Sequence, residues 1–324
     1  MFCDIRMHNQ EKVRDKLRQV KHILDLSNEE KLLFCKSFDT IMTDCDGVLW
    51  SALREIPGIG ASINALEASG KRVIYVSNNS TRPAKEYEAK ILKMGAKFRY
   101  ENLVHPMLSI IYYLKKVNFQ GLIYVIGTTH TKKLIREAGF KVLDGPNGEV
   151  EEDYMKLFRT VHDCEPVKLV IFDNDLNFNY AKFMRADLYL QNPECKLIIG
   201  ANDFRLPLTQ DLDLPGPGPF VDALMASLPP GKKPIVLGKP GEALGEVLKE
   251  QFEIKDPKRV LFVGDMITTD IKFSCNVGFQ SLLVLSGGTS RDKMLASEDN
   301  SAIPDFYADS LADLSTIICS CNRQ

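Results

Sequence analysis

Asp44 and Asp46 stand two residues apart in Asp44-Cys45-Asp46-Gly47-Val48-Leu49-Trp50, just after a short apolar run from Phe38 to Met42. Carboxylates this close repel one another unless a cation or a shared proton intervenes. If the run is a buried strand, both acids emerge at its C-terminal tip, the edge at which open α/β sheets bind ligands. Metal-assisted chemistry is the first expectation. A calcium loop competes with it, but an EF-hand counted from Asp44 needs Gly at its sixth place, where Leu49 stands, even though Glu55 fills the twelfth.

Three further polar groups each follow an apolar run. Ser77-Asn78-Asn79 closes Lys71 to Val76. A hydroxyl and free N–H groups at a helix start favour an anion, although a plain polar turn has the same composition. Lys239, in Gly238-Lys239-Pro240, closes Pro234 to Leu237. It is no phosphate-loop lysine, because Lys233 occupies the first Gly place and Pro240 the Ser/Thr place. Gly264-Asp265, with Asp270 close behind, closes Arg259 to Val263. Such acids often only cap the next helix, yet together with Asp44 and Asp46, Asp265 completes an all-oxygen set suited to Mg²⁺.

One chemistry uses all of these types. A carboxylate attacks a phosphoryl group and forms an aspartyl-phosphate. A second carboxylic acid protonates the leaving oxygen and then deprotonates the resolving water. A hard cation and an ammonium stabilise charge on the transferring oxygens.

The elements that must position these groups read as α/β. The strands carry near-continuous apolar runs, as when both sheet faces are covered, and helical stretches separate most of them, as in parallel βαβ units. The four polar motifs are therefore expected along one edge of one parallel sheet. Between the second and third lie over a hundred residues with their own alternation: strands at Gly121 to Ile126, Val167 to Phe172 and Lys196 to Ile199, and helices at Thr131 to Ala138 and Tyr180 to Leu190. A regular stretch of that length is an inserted domain. The expected division is an N-terminal helical extension over 1–26, a core over 27–118 and 234–324, and an insert over 119–233. Candidate hinges are Asn118-Phe119-Gln120 and Pro229 to Lys233.

Bulk properties narrow the class. The chain has 324 residues, is 44% hydrophobic and carries a formal net charge of −2, which disfavours sequence-independent nucleic-acid binding. Its eight cysteines show no Cys-x-x-Cys spacing, which disfavours zinc and thioredoxin readings and fits a reducing compartment. No apolar run approaches the ~20 residues needed to span a bilayer, and Met1 to Lys21 lacks an apolar signal region. A cytoplasmic location with no membrane partner is expected.

In order, Asp-x-Asp-Gly-Val, Ser-Asn-Asn, Gly-Lys-Pro and Gly-Asp-x₄-Asp resemble the four motifs of the haloacid dehalogenase (HAD) superfamily. With Trp50, the large insert and the tail Pro304 to Ser310, the chain is similar to the eukaryotic phosphoglycolate phosphatase, pyridoxal phosphatase (chronophin) and 4-nitrophenylphosphatase branch. The resemblance spans about residues 27 to 320. It implies a Rossmann-like core with a C2-type cap that closes over small phosphate monoesters. Asp44 would be the nucleophile and Asp46 the general acid/base. Ser77 and Lys239 would hold the phosphoryl group, with Asn78 lining the site. Mg²⁺ would sit on Asp44, the Asp46 main-chain carbonyl and Asp265, while Asp270 orders the metal shell or Lys239. Asn202 to Leu208 falls in the family's specificity loop, whose Arg205 would pair with a substrate carboxylate; a surface arginine is the competing reading. A homodimer through the cap is implied by the same analogy. Rival functions are a pyridoxal phosphate or protein phosphatase of this family, a mutase or phosphotransferase on the same intermediate, and a weakly catalytic scaffold paralogue.

Overall fold

A computed structural model describes residues 2–51, 55–207 and 212–321; Leu208 of the expected specificity loop lies outside them. In chain order the strands are β1 (Lys21–His22), β2 (Thr40–Thr43), β3 (Arg72–Val76) and β4 (Leu103–Val104), then β5 (Leu122–Ile126), β6 (Lys141–Leu143), β7 (Val167–Phe172) and β8 (Lys196–Ile199). They are followed by β9 (Arg205–Pro207), β10 (Asp213–Pro215), β11 (Ile235–Val236), β12 (Val260–Gly264), β13 (Gln280–Val284) and β14 (Phe306–Ala308).

A seven-stranded sheet has the order β1-β14-β13-β12-β2-β3-β4, and its pairings are parallel throughout. The chain runs outward from β2 to β3 and β4, then returns on the other flank of β2 as β12, β13 and β14. The direction of winding thus reverses at β2, and the crevice for a ligand opens beyond its C-terminal tip. Every residue of β2 and β12 is buried, which accounts for the unbroken apolar run Val260 to Val263 in β12; in β2 a threonine flanks Ile41 and Met42 on each side. Helices Asn28–Ser37, Ile59–Ala68 and Ala312–Cys321 cover one face, and Glu242–Gln251 with Lys272–Val277 cover the other. Ser27 starts the first of these: its Oγ accepts from Glu30 N at 3.2 Å, and Glu30 Oε2 accepts from Ser27 N at 2.8 Å, a reciprocal pair that satisfies two helix-start donors.

A second, five-stranded parallel sheet runs β11-β8-β7-β5-β6, and β9 with β10 forms an antiparallel hairpin. One expectation needs correcting. The strand that delivers Lys239 pairs with β8 in this second sheet, so three of the motifs, not four, end strands of the large sheet. Residues 1–26 hold a helix over Phe2–Gln19 and are tied to the core. Lys21–His22 forms the outer strand of the large sheet beside β14, and Val13, Leu17, Ile23 and Leu26 are buried. Helix Glu242–Gln251 joins the two sheets: Leu244 and Leu248 pack on the large sheet, and Val247 packs with Ile123, Ile171 and Ile198 of the small one. Among the described residues no helix is long and apolar enough to cross a membrane.

Candidate active site

Asp44 follows β2 directly, and its N–H donates to Val263 O of β12 at 2.8 Å, so the carboxylate stands at the winding switch. Lys239 arrives from the tip of β11 and is 1% exposed; its Nζ lies 2.9 Å from Asp44 Oδ1 and 2.6 Å from Asp270 Oδ1. Burial alone would lower the lysine's proton affinity, but the flanking Asp270 and Asp44 carboxylates raise it above the usual value, so it stays an ammonium. Burial pushes the Asp44 carboxyl upward against the pull of Lys239, and Asp270 and Asp265 add to the shift.

Asp265 ends β12 and is 1% exposed. Its Oδ2 accepts from Gly288 N at 2.6 Å, and its Oδ1 is buried with no partner. Burial, then the neighbouring Asp270, raises its pKa to about 7. Asp270 reaches the cluster from a π-helical turn, Ile267–Ile271, and its Oδ2 accepts from Asp265 N at 3.1 Å and Met266 N at 3.0 Å. Glycines make room for both acids. A Cβ on Gly47 (φ +88°) would lie 2.3 Å from Asp265 Oδ2, one on Gly287 2.1 Å from the same atom, and one on Gly264 2.1 Å from Asp270 Cβ.

Asp44, Asp265 and Asp270 each present a carboxylate oxygen within 4.8 Å of the others. The all-oxygen donor set, the unpartnered Asp265 Oδ1 and the glycine cradle fit a small hard cation, because they leave negative charge converging in a buried space.

Across the cleft, Ser77 follows β3 and is buried; its Oγ accepts from Asn79 N at 3.0 Å and lies 3.0 Å from Tyr87 Oη. Asn78 ties three segments together. Its Oδ1 accepts from Lys239 N at 2.8 Å, and its Nδ2 donates to Lys239 O at 3.1 Å and to both Asp203 oxygens at 3.2 and 3.0 Å. Two residues on, Ser80 Oγ donates to buried Asp173 at the tip of β7, whose Oδ1 accepts from Ala201 N at 2.9 Å. The phosphate-loop candidate is thus fastened to the inserted sheet at two points.

Asp46 is more open than Asp44, with a side chain 38% exposed. Trp50 Nε1 donates to its Oδ1 at 2.8 Å, and the Arg82 guanidinium donates to Oδ1 and Oδ2 at 3.1 Å each. Sequence reasoning missed Arg82, a single basic residue in a polar loop with no spacing pattern. It also gave Asp203 no role of its own. Arg205 stands apart from this constellation: its side chain is 51% exposed and pairs with Asp213 across the β9–β10 hairpin.

Burial raises the Asp203 carboxyl from 3.8 to about 6, against the opposing effects of Lys239 and Asn78. The folded state therefore holds this proton more tightly than the unfolded chain, so its contribution falls as pH rises from about 4 to about 6 and is level above. Asp203→Asn is expected to remove that slope. Thermal melts at several pH values compare the two proteins, and parallel profiles would contradict the assignment.

Known proteins resemble this chain in sequence and in fold. Residues 41–141 match a model described as haloacid dehalogenase-like hydrolase, and residues 236–314 match a HAD-hydrolase-like model. The chain is 35% identical over 292 residues to phosphoglycolate phosphatase 1A, chloroplastic, of Arabidopsis thaliana, covering 89% of this chain and 79% of that one. It is 30% identical to chronophin of Bos taurus, with 85% and 91% covered. Among solved structures, a 4-nitrophenylphosphatase of Thermotoga maritima superposes with a TM-score of 0.70 at 25% identity, covering 87% of this chain and 98% of that one.

Proposed function

The chain belongs to the haloacid dehalogenase-like hydrolases, in the branch of phosphoglycolate phosphatases, 4-nitrophenylphosphatases and chronophin, and from that membership we propose a Mg²⁺-dependent route through an aspartyl-phosphate. Its general activity, hydrolysis of phosphoric monoesters, follows from the family. In the proposed route an Asp44 oxygen bonds to phosphorus as the ester P–O bond breaks, and Asp46 gives its proton to the departing oxygen. A water oxygen then bonds to phosphorus and loses a proton to Asp46. The Asp44–phosphorus bond breaks and inorganic phosphate leaves. Ser77 and Lys239 hold the phosphoryl oxygens, and Asn78 fixes the Lys239 backbone that carries the ammonium. Asp44, the Asp46 main-chain carbonyl and Asp265 would hold Mg²⁺, with Asp270 ordering Lys239; when bound, the ion neutralises charge on the transferring oxygens. In this reading residues 119–233 act as the cap.

One observation carries the proposal. Three buried carboxylates and a buried ammonium converge at the switch point of a parallel sheet, an arrangement too costly to keep for stability alone. Phosphate release from phosphoglycolate, pyridoxal phosphate, glycerol phosphate and a phosphotyrosine peptide, with Mg²⁺ or with chelator, tests it. Turnover is expected only with the ion, and phosphoglycolate is expected to lead. That preference assigns Arg205 to a substrate carboxylate in exchange for Asp213, since guanidinium matches either partner. Arg205→Ala is then expected to raise KM for phosphoglycolate about tenfold while leaving 4-nitrophenyl phosphate unaffected. An equal rise for both would remove the pairing.

A further inference from the structure

We propose that Arg82 is the positioning residue for Asp46, clamping its carboxylate so that one face stays open to the reacting oxygens. The inference rests on the reading of Asp46 as the group that moves protons.

The clamp is built in three parts. The guanidinium meets both Asp46 oxygens at 3.1 Å, a two-point pairing that fixes the plane of the carboxylate as well as its distance. Trp50 Nε1 adds a third donor at 2.8 Å. A carboxylate offers about four acceptor sites, so three donors leave one for a leaving group or water. The guanidinium in turn has little freedom. Its carbon lies 5.5 Å from the Trp50 ring centre and 5.2 Å from that of Tyr87, and its side chain is 16% exposed. Such faces attract a cation and restrict it sideways.

The backbone beneath is equally fixed. Pro83 follows Arg82 and restricts it to extended conformations, just before helix Ala84–Lys93. Asn79 Oδ1 accepts from Thr81 N at 3.0 Å, and Tyr87 Oη donates to Asn79 O at 2.8 Å and lies 3.0 Å from Ser77 Oγ. The residue that orients the proton carrier and the residue that would hold the phosphoryl group therefore hang from one ring. A surface ion pair formed by chance would lack the aromatic walls, the second donor and the shared hydroxyl.

Rapid mixing with 4-nitrophenyl phosphate reads the clamp, because this leaving group departs without a proton while the resolving water must lose one. Asp46→Asn is expected to release a burst of 4-nitrophenolate stoichiometric with enzyme, after which turnover slows about a hundredfold. Arg82→Gln is expected to reproduce the burst, with later turnovers slowed about tenfold or more. Arg82→Lys keeps the stacked cation but lacks the fork, and is expected to fall between Gln and the parent; it carries the same readout if Gln impairs folding. Equal slowing of the first and later turnovers in the Arg82 variants, or steady turnover within about twofold of the parent, overturns the proposal. An Asp46→Asn enzyme without a burst instead overturns the reading of Asp46 on which it stands.

Discussion

Lys239→Met is expected to lose turnover by about 10²–10³-fold, as when one preorganised charge-stabilising donor is removed, and to lose stability as well. The ammonium is the cation that faces both Asp44 and Asp270, at 2.9 and 2.6 Å. Without it, Asp44, Asp265 and Asp270 face one another within 4.8 Å, all three buried. Breaking a buried ion pair from one side costs about 3–5 kcal/mol. The deficit is expected to shrink as pH falls, because burial already favours the protonated form of Asp44 and Asp265, and to shrink on adding Mg²⁺. Denaturant titrations at two pH values, with and without the ion, measure it alongside phosphate release. A variant as stable as the parent and within tenfold of its turnover would show that the ammonium is not what holds the acids together.

Asp44→Asn is expected to behave in the opposite way toward folding. Turnover falls by on the order of 10³-fold or more, since the amide is a poor nucleophile and residues of one catalytic unit fail together. The fold, however, loses one of three mutually repelling buried carboxylates, while the amide oxygen still accepts from Lys239. Thermal stability without divalent ions is therefore expected to hold or rise. Loss of activity with a preserved or raised Tm is the signature of a group kept for chemistry. Retained turnover would remove the nucleophile assignment.

Much of this was legible in the chain. The runs Val167–Phe172 and Lys196–Ile199 and the helix Tyr180–Leu190 fall where apolar patterning puts them. The acid motifs stood out because paired carboxylates after buried strands need a reason to be there. Other parts left no local trace. Ile235–Val236 is only two residues long, and nothing in its composition says which of two sheets it joins. Lys21–His22 is polar and pairs only along an edge, so it carries no strand signal. The π-helical turn that swings Asp270 back under Asp265 depends on how five residues close, not on their types. Arg82 acts through partners 32 and 36 residues earlier in the chain, a relation that only folding creates.

The placement of β11 has a mechanical corollary. Because Ile235–Val236 is hydrogen-bonded to β8 while Leu244 and Leu248, a short way along, pack on the large sheet, the ammonium rides on a lever whose arm belongs to the small sheet and whose fulcrum belongs to the large one. If residues 119–233 act as the proposed cap, its tilting would be transmitted along three residues to the ammonium beside Asp44.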